Sequence, residues 1–253
     1  MVLTRFSGVA SRAEPRNFAV QSEIMKKRSI LFILFLHLVV IAFSQQFSQV
    51  GISGGSNLSH LSLLTDREVL IRLSDDGRIL EWGIEEQSLR VKDYYAPRLQ
   101  PYAGRVEYYG TEADSVSRGR LKSIGSSVIT YFGAWETADK IGKIRSVGYL
   151  QFDYYSHYDN KDLQGKIKSI GNLSLDYYSS FDNESLKGKL KAVGSTQISY
   201  YTSFDDRLIR GKIKSIGSVS YTWYTSIERG NYGGGLKSGP RRQNTGGVVY
   251  ILQ

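Results

Sequence analysis

The feature that most constrains this chain is a repeat that holds one period through six successive copies. GRLKSIG starts at Gly119, and GKIRSVG, GKIKSIG, GKLKAVG and GKIKSIG start at Gly142, Gly165, Gly188 and Gly211, each 23 residues after the last. A decayed sixth copy, GGLKSG, starts at Gly234, another 23 residues on. GRILEWG from Gly77 and PRLQPYAG from Pro97 look like drifted copies at looser spacing. Downstream of each segment come an aromatic pair and then an aromatic followed by an acid. The pairs are Tyr131-Phe132, Tyr154-Tyr155, Tyr177-Tyr178, Tyr200-Tyr201 and Trp223-Tyr224. The aromatic-acid steps are Trp135-Glu136, Tyr158-Asp159, Phe181-Asp182 and Phe204-Asp205, with Ile227-Glu228 in the last copy.

Alternation within a unit has period two, which means strand. Strict alternation in the third copy puts Ile167, Ser169, Leu173, Leu175, Tyr177 and Phe181 on one face. Lys166, Lys168, Ile170, Ser174, Asp176 and Tyr178 fall on the other. Glycine at Gly125, Gly148, Gly171, Gly194 and Gly217 supplies the positive φ of a tight turn. A three-residue loop at 171–173 would set Ile170 opposite Ser174 and Lys168 opposite Asp176, pairing opposite charges. The second turn, Asn183–Lys187, is longer. A parallel solenoid would stack Lys166, Lys189 and Lys212 at ~4.8 Å, whereas a hairpin meander doubles that spacing. The expected fold is therefore all-β: an antiparallel hairpin-repeat meander in a curled sheet, closed as a shell or barrel or covered by a partner. A hairpin over Val69–Trp82 and a terminal strand at Val248–Leu252 complete it.

Composition agrees, with 18 Tyr, 26 Gly and only 4 Pro among 253 residues. The absence of cysteine excludes disulfides, thiolate metal sites and a cysteine nucleophile.

The run Tyr178-x-x-Phe181-Asp182 followed by Gly188-Lys189-Leu190-Lys191 resembles the YD repeats of Rhs-type secreted proteins. It is also similar to the Gly-Lys-Leu-Lys and Tyr-Tyr hairpins of MORN-like repeats, and to GKIKSIG arrays of flavobacterial exported proteins. The likeness covers residues 77–240 and implies a hairpin-repeat fold. It transfers no catalytic residue.

Lys26-Lys27-Arg28, the apolar run Ile30–Phe43 and Ala42-Phe43-Ser44 form the three parts of a secretory signal. The run is shorter than the roughly 20 residues needed to span a bilayer. Residues 1–44 are thus read as a signal peptide, with Met25 as the start and 1–24 as an upstream mis-start. Residues 45–68 follow as a linker or edge segment, 69–240 as the repeat domain and 241–253 as a C-terminal segment. The address is the periplasm, cell surface or exterior of a Gram-negative bacterium, with no membrane span after cleavage. Six of the 33 basic and two of the 24 acidic residues lie in 1–44, so the formal charge of +9 falls to +5 beyond it. Such a mild excess permits an anionic partner without demanding one and gives no reason to expect nucleic acid.

No catalytic, cofactor or metal motif is present. His60 sits in the polar stretch SGGSNLSHLS, read as a loop or edge, and His157 occupies a column otherwise held by small residues. An acid that recurs in every unit is turn chemistry rather than a catalytic pair. The aromatic columns fit a cross-strand ladder or contact with sugar rings. The lysine columns fit a solvated face or a polyanion-binding stripe. The contact residues expected on this basis are Tyr155, Tyr178, Tyr201, Tyr224, Lys166, Lys168, Lys189, Lys191, Lys212 and Lys214. The reading is a non-enzymatic binding or scaffold protein, its partner an envelope glycan, another polyanion or a protein. An outer-membrane barrel and a glycan-acting enzyme hidden in residues 45–76 are the alternatives.

Overall fold

The computed structural model of the protein describes residues 45–86, 98–228 and 233–253. The signal-peptide and start-site readings fall outside these described residues. Strands β1 (Gln46–Ser53), β2 (Asn57–Leu64), β3 (Val69–Leu73), β4 (Ile79–Glu85) and β5 (Leu99–Gln100) precede the repeats. Two-stranded units then run through β6 (Val106–Tyr108), β7 (Leu121–Ile124), β8 (Ser127–Tyr131), β9 (Ile144–Val147), β10 (Leu150–Tyr154), β11 (Ile167–Ile170) and β12 (Leu173–Tyr177). They continue as β13 (Leu190–Val193), β14 (Thr196–Tyr200), β15 (Ile213–Ile216), β16 (Val219–Ser220), β17 (Thr222–Trp223) and β18 (Leu236–Ser238). The chain ends with β19 (Arg242–Thr245) and β20 (Val248–Leu252). Strands β6 to β16 form one antiparallel sheet in sequence order, and β17 pairs with β18. The second large sheet has the order β19-β20-β1-β2-β3-β4-β5. The all-β antiparallel hairpin meander expected from the repeat is what the chain adopts, and its sheets are not closed into a barrel.

The hairpin register differs from the expected one. Ile170 lies opposite Leu173 and Ser169 opposite Ser174, so the loop is the two-residue Gly171-Asn172. Gly171 has φ 58° while no described non-glycine residue except Glu68 has positive φ. That is the signature of a type II′ turn, whose twist matches the strands it joins. A β-bulge in the next strand pair keeps the apolar residues of both strands on one face. Asp153 lies opposite Ser169 and Tyr154 opposite Ile167, leaving Lys168 without a counterpart. The extra residue reverses the inside-outside parity, so Ile167 and Ile170 are both buried. Strict alternation had wrongly put Ile170 with the lysines. The same shift skips Lys122, Arg145, Lys191, Lys214 and Lys237. The bulged position is basic in every unit.

GRILEWG keeps this device inside the other sheet. Arg72 faces Glu81 and Leu73 faces Ile79, so Leu80 is the bulged residue, and Gly77 has φ 82°. Of the second drifted copy, Leu99 and Gln100 form the edge strand β5, while Pro97 lies outside the described residues.

The two sheets share one apolar core. Val50, Leu61, Ile71 and Tyr250 come from the shorter sheet, Ile124, Tyr154, Ile167, Tyr177 and Ile213 from the repeats. Two hairpin tips of the shorter sheet bond directly to repeat strands. Ile213 N donates to Gly55 O and Ile167 N to Asp75 O, both at 2.7 Å. Residues 45–68, expected as a linker or edge, are instead two long strands in the sheet interior. β1 lies between β2 and β20, pairing with β20 in parallel. The apolar face of the repeat sheet is therefore covered by the chain's own N- and C-terminal strands. Among the described residues no helix is long and apolar enough to cross a membrane.

Candidate functional site

Each unit's long connection is built by its own side chains. In the 178–189 loop, Gly188 N donates to Tyr178 O at 2.7 Å and Tyr178 N to Lys189 O at 2.8 Å, closing the neck. Gly188 has φ 76°, a conformation that glycine adopts at little cost because it lacks a Cβ. Leu186 plugs the loop into the core, as do Leu163 and Ile209 in the flanking units. Asn183 Oδ1 accepts from Ser185 N at 3.0 Å, an Asx turn repeated by Asn160 and Asp206.

The recurring acid anchors the loop tip. Asp182 Oδ2 accepts from Ser179 N and Ser179 Oγ, both at 3.0 Å, while Lys191 Nζ donates to Oδ1 at 2.7 Å. Ser156 with Asp159, Thr202 with Asp205 and Thr225 with Glu228 repeat the pattern. The Lys191 ammonium, followed by the Ser179 donors, pulls the Asp182 carboxyl down to about 2. Neighbouring tips are also stitched together. Asp139 accepts from His157 N at 2.9 Å, Asp162 from Ser180 N at 2.9 Å and Asp206 from Ser226 N at 3.1 Å.

One apolar side chain per unit stands at the tip, and it is bare; both anchors flank Tyr158, Phe181 and Ile227, and the acid anchor flanks Phe204. Trp135 is 99% exposed, Tyr158 88%, Phe181 90%, Phe204 94% and Ile227 85%. Phe181 had been assigned to the inner face, but regular alternation ends where the chain leaves β12 at Tyr177. Units repeat every two strands, which sets successive tips ~9.6 Å apart. Five bare apolar groups in register, three of them on backbone fixed from both sides, form the most distinctive surface of the described residues.

The residues singled out from sequence lie elsewhere and are largely engaged with one another. The first aromatic of each pair faces the core. Tyr154 Oη donates to Ile144 O at 2.9 Å, Tyr200 Oη to Leu190 O at 3.0 Å and Trp223 Nε1 to Ile213 O at 2.7 Å. The second is half-buried and reaches into the next unit. Tyr155 Oη donates to Leu175 O, Tyr178 Oη to Ile198 O and Tyr201 Oη to Tyr221 O, each at 3.0 Å. Edge-to-face contacts join Tyr155 to Tyr177 at 6.2 Å and Tyr178 to Tyr200 at 5.8 Å. This is a cross-unit ladder.

The lysines roof that ladder. Lys166, Lys189 and Lys212 lie 5.1, 5.5 and 4.5 Å from the ring centres of Tyr177, Tyr200 and Trp223. Lys168, Lys191, Lys214 and Lys237 lie 5.3 to 5.7 Å from Tyr155, Tyr178, Tyr201 and Tyr224. Lys166 also pairs with Asp75, Lys168 with Asp159 at 3.6 Å and Lys191 with Asp182. Lys189 donates to Ser56 O at 2.7 Å and Lys212 to Gly54 O at 2.8 Å. Their charges hold the structure together.

Comparison with protein-family models, curated proteins and solved structures finds no match to this chain.

Several other ionisable groups are engaged within the fold. His60, expected in a loop or edge, lies mid-strand in β2 opposite Gly51, its ring filling the space a side chain there would need. Burial, then the Arg72 charge, pushes it down to about 4. His157 is at a tip, its Nδ1 3.0 Å from Asp139. Of the acids in 45–76, Asp66 binds Ser126 and Ser127, Asp75 binds Lys166, and Asp76 binds Ser74 and Arg78. Among the described residues no three His, Asp or Glu side chains gather in a way that could hold a metal ion.

The tip residues were visible in the sequence as the aromatic-acid step, but not as contacts. The available signal was a large apolar residue returning at a fixed place inside a loop otherwise made of Ser, Asp and Asn. Turn chemistry explains the polar residues there. It does not explain the ring.

Proposed function

We propose that this protein is an exported, non-enzymatic binding or scaffold protein that contacts its partner through the loop-tip row rather than through the Tyr-Tyr and lysine columns. The observation that carries the reading is the near-complete exposure of Trp135, Tyr158, Phe181 and Phe204 at the loop tips. Four large rings stand in water in one row, those of Tyr158 and Phe181 on tips held both by their own unit and by a neighbour and that of Phe204 on a tip held by its own unit. A row of this kind marks a docking surface. Pre-anchored tips lose little freedom on binding, which favours recognition. The recurring carboxylates support a non-enzymatic role, because they accept the loop's own amides and hydroxyls. Export rests on the signal-like segment 25–44.

Trp135 provides a direct test. It is bare, whereas Trp223 is buried and Trp82 partly so. Envelope polymer fractions that engage the row will shield Trp135 from iodide quenching, and a Trp135→Phe variant will lose the effect. If a variant with all four rings replaced by Ser is retained on those fractions as well as the natural protein, the contact lies elsewhere.

A further inference from the structure

Resting on the loop-tip reading, we infer that the occupant of the row is a single linear, uncharged polysaccharide chain, held by one exposed apolar side chain per 23-residue unit, a ring in four of the five. Four features of the row lead there. First, the bare groups are isolated. At ~9.6 Å between units the rings do not touch, and each is set among polar loop atoms such as the Ser179 hydroxyl and the Asp182 carboxylate. A protein partner calls for a contiguous, dry apolar centre. A sugar offers an apolar C–H face ringed by hydroxyls, which matches a lone ring ringed by donors and acceptors.

Second, the row is periodic in one dimension, so its natural ligand is itself a repeating chain. Five tips span ~38 Å. A β-linked disaccharide has a length comparable to one unit, so alternate sugars meet successive rings. Third, local charge is cancelled. Asp159, Asp182 and Glu228 are each paired with the bulge lysine of the following segment, Lys168, Lys191 and Lys237. A polyanion would have to break these pairs, and an anionic membrane surface would meet a carboxylate beside every ring. Fourth, a sheet of this width twists. A twisted row accommodates one flexible chain rather than the flat face of a crystalline polymer.

The chain in this arrangement acts as a multivalent binder, with weak single contacts multiplied along the ligand. The test is calorimetry with soluble β-1,4-linked glucose and N-acetylglucosamine oligomers of increasing length, on the protein from Gln45 onward and on a Tyr158→Ser/Phe181→Ser/Phe204→Ser variant. Because the rings are exposed, the variant's circular dichroism and denaturant midpoint should be unchanged. In at least one series, affinity should rise by about 10²-fold between oligomers that reach one tip and oligomers that reach three. The variant should bind the long oligomers no better than the short ones. Flat length dependence, or absence of binding to both series, overturns the glycan assignment. Ring-dependent binding to phosphatidylcholine vesicles or to sulfated dextran instead would move the ligand class while leaving the row as the contact. Equal binding of the long oligomers by both proteins would overturn the row itself.

Discussion

Removing the same hydroxyl from two successive repeats should destabilise the protein at one position and not at the other. Tyr177 and Tyr200 occupy equivalent positions, and both rings are buried. Tyr200 Oη donates to Leu190 O at 3.0 Å. The equivalent acceptor for Tyr177 would be Ile167 O, in the strand whose Ile167 N donates to Asp75 O, but the hydroxyl does not bond it. Docking alone is not the reason, because Ile213 N donates to Gly55 O in the same way and Trp223 Nε1 still donates to Ile213 O. The Tyr177 hydroxyl is left buried with no hydrogen-bond partner. Tyr200→Phe keeps the ring, its contact with Tyr178 and its lysine roof, but orphans a buried carbonyl. That change should cost about 1–3 kcal/mol. Tyr177→Phe removes a buried hydroxyl that makes no bond, and the penalty it relieves is about 1–3 kcal/mol on mutational scales. Because the ring packing is retained, the net result should lie between neutral and about 2 kcal/mol more stable. With a urea slope of about 1–3 kcal/mol per molar, the two midpoints should separate by roughly 1 M. Urea unfolding followed by far-UV circular dichroism measures this. Equal destabilisation by both variants would show that the Tyr177 hydroxyl is bonded after all, and the reasoning would fail.

Two further outcomes test the anchors. Asp182 titrates at about 2 against an ordinary 3.8. Its contribution is therefore full above about pH 4 and lost as pH falls toward 2, and the same direction holds for Asp159 and Glu228. The denaturant midpoint should fall over that window, less so in Asp182→Asn; a flat profile would refute the anchoring role. Gly54 and Gly55 share positive φ, yet an added Cβ meets nothing at Gly54 and the Trp223 ring at Gly55. Gly54→Ala should cost about 1–2 kcal/mol from backbone strain alone. Gly55→Ala should cost at least about 1–3 kcal/mol more from overpacking, and equal midpoints would mean that this tip does not seat on the repeat sheet.

The sequence by itself determined the hairpin unit, its period and the antiparallel sense of its pairing. Those follow from glycine's access to positive φ, from alternation and from the repulsion between stacked lysines, all of which act within a unit or its neighbour. The burial of Tyr177 and Tyr200 was legible for the same reason. The parity of the short strand was not. A bulge at Lys168 changes which residues face inward without changing composition, so Ile170 reads as outward until the register is known. The covering of the apolar face was also decided only in three dimensions. Gln46–Leu64 looks like a polar leader because its inward residues, Val50, Ile52, Leu61 and Leu63, are diluted by serine, glycine and glutamine. They become core only when β20 returns to pair with β1 and the tips at Gly55 and Asp75 reach the repeat strands. The tertiary structure likewise separated the aromatic columns. Two of the rings per unit pack against the core and under lysines, most of them bonded to backbone carbonyls of their own or the next unit, and the apolar group at the loop tip is left in water.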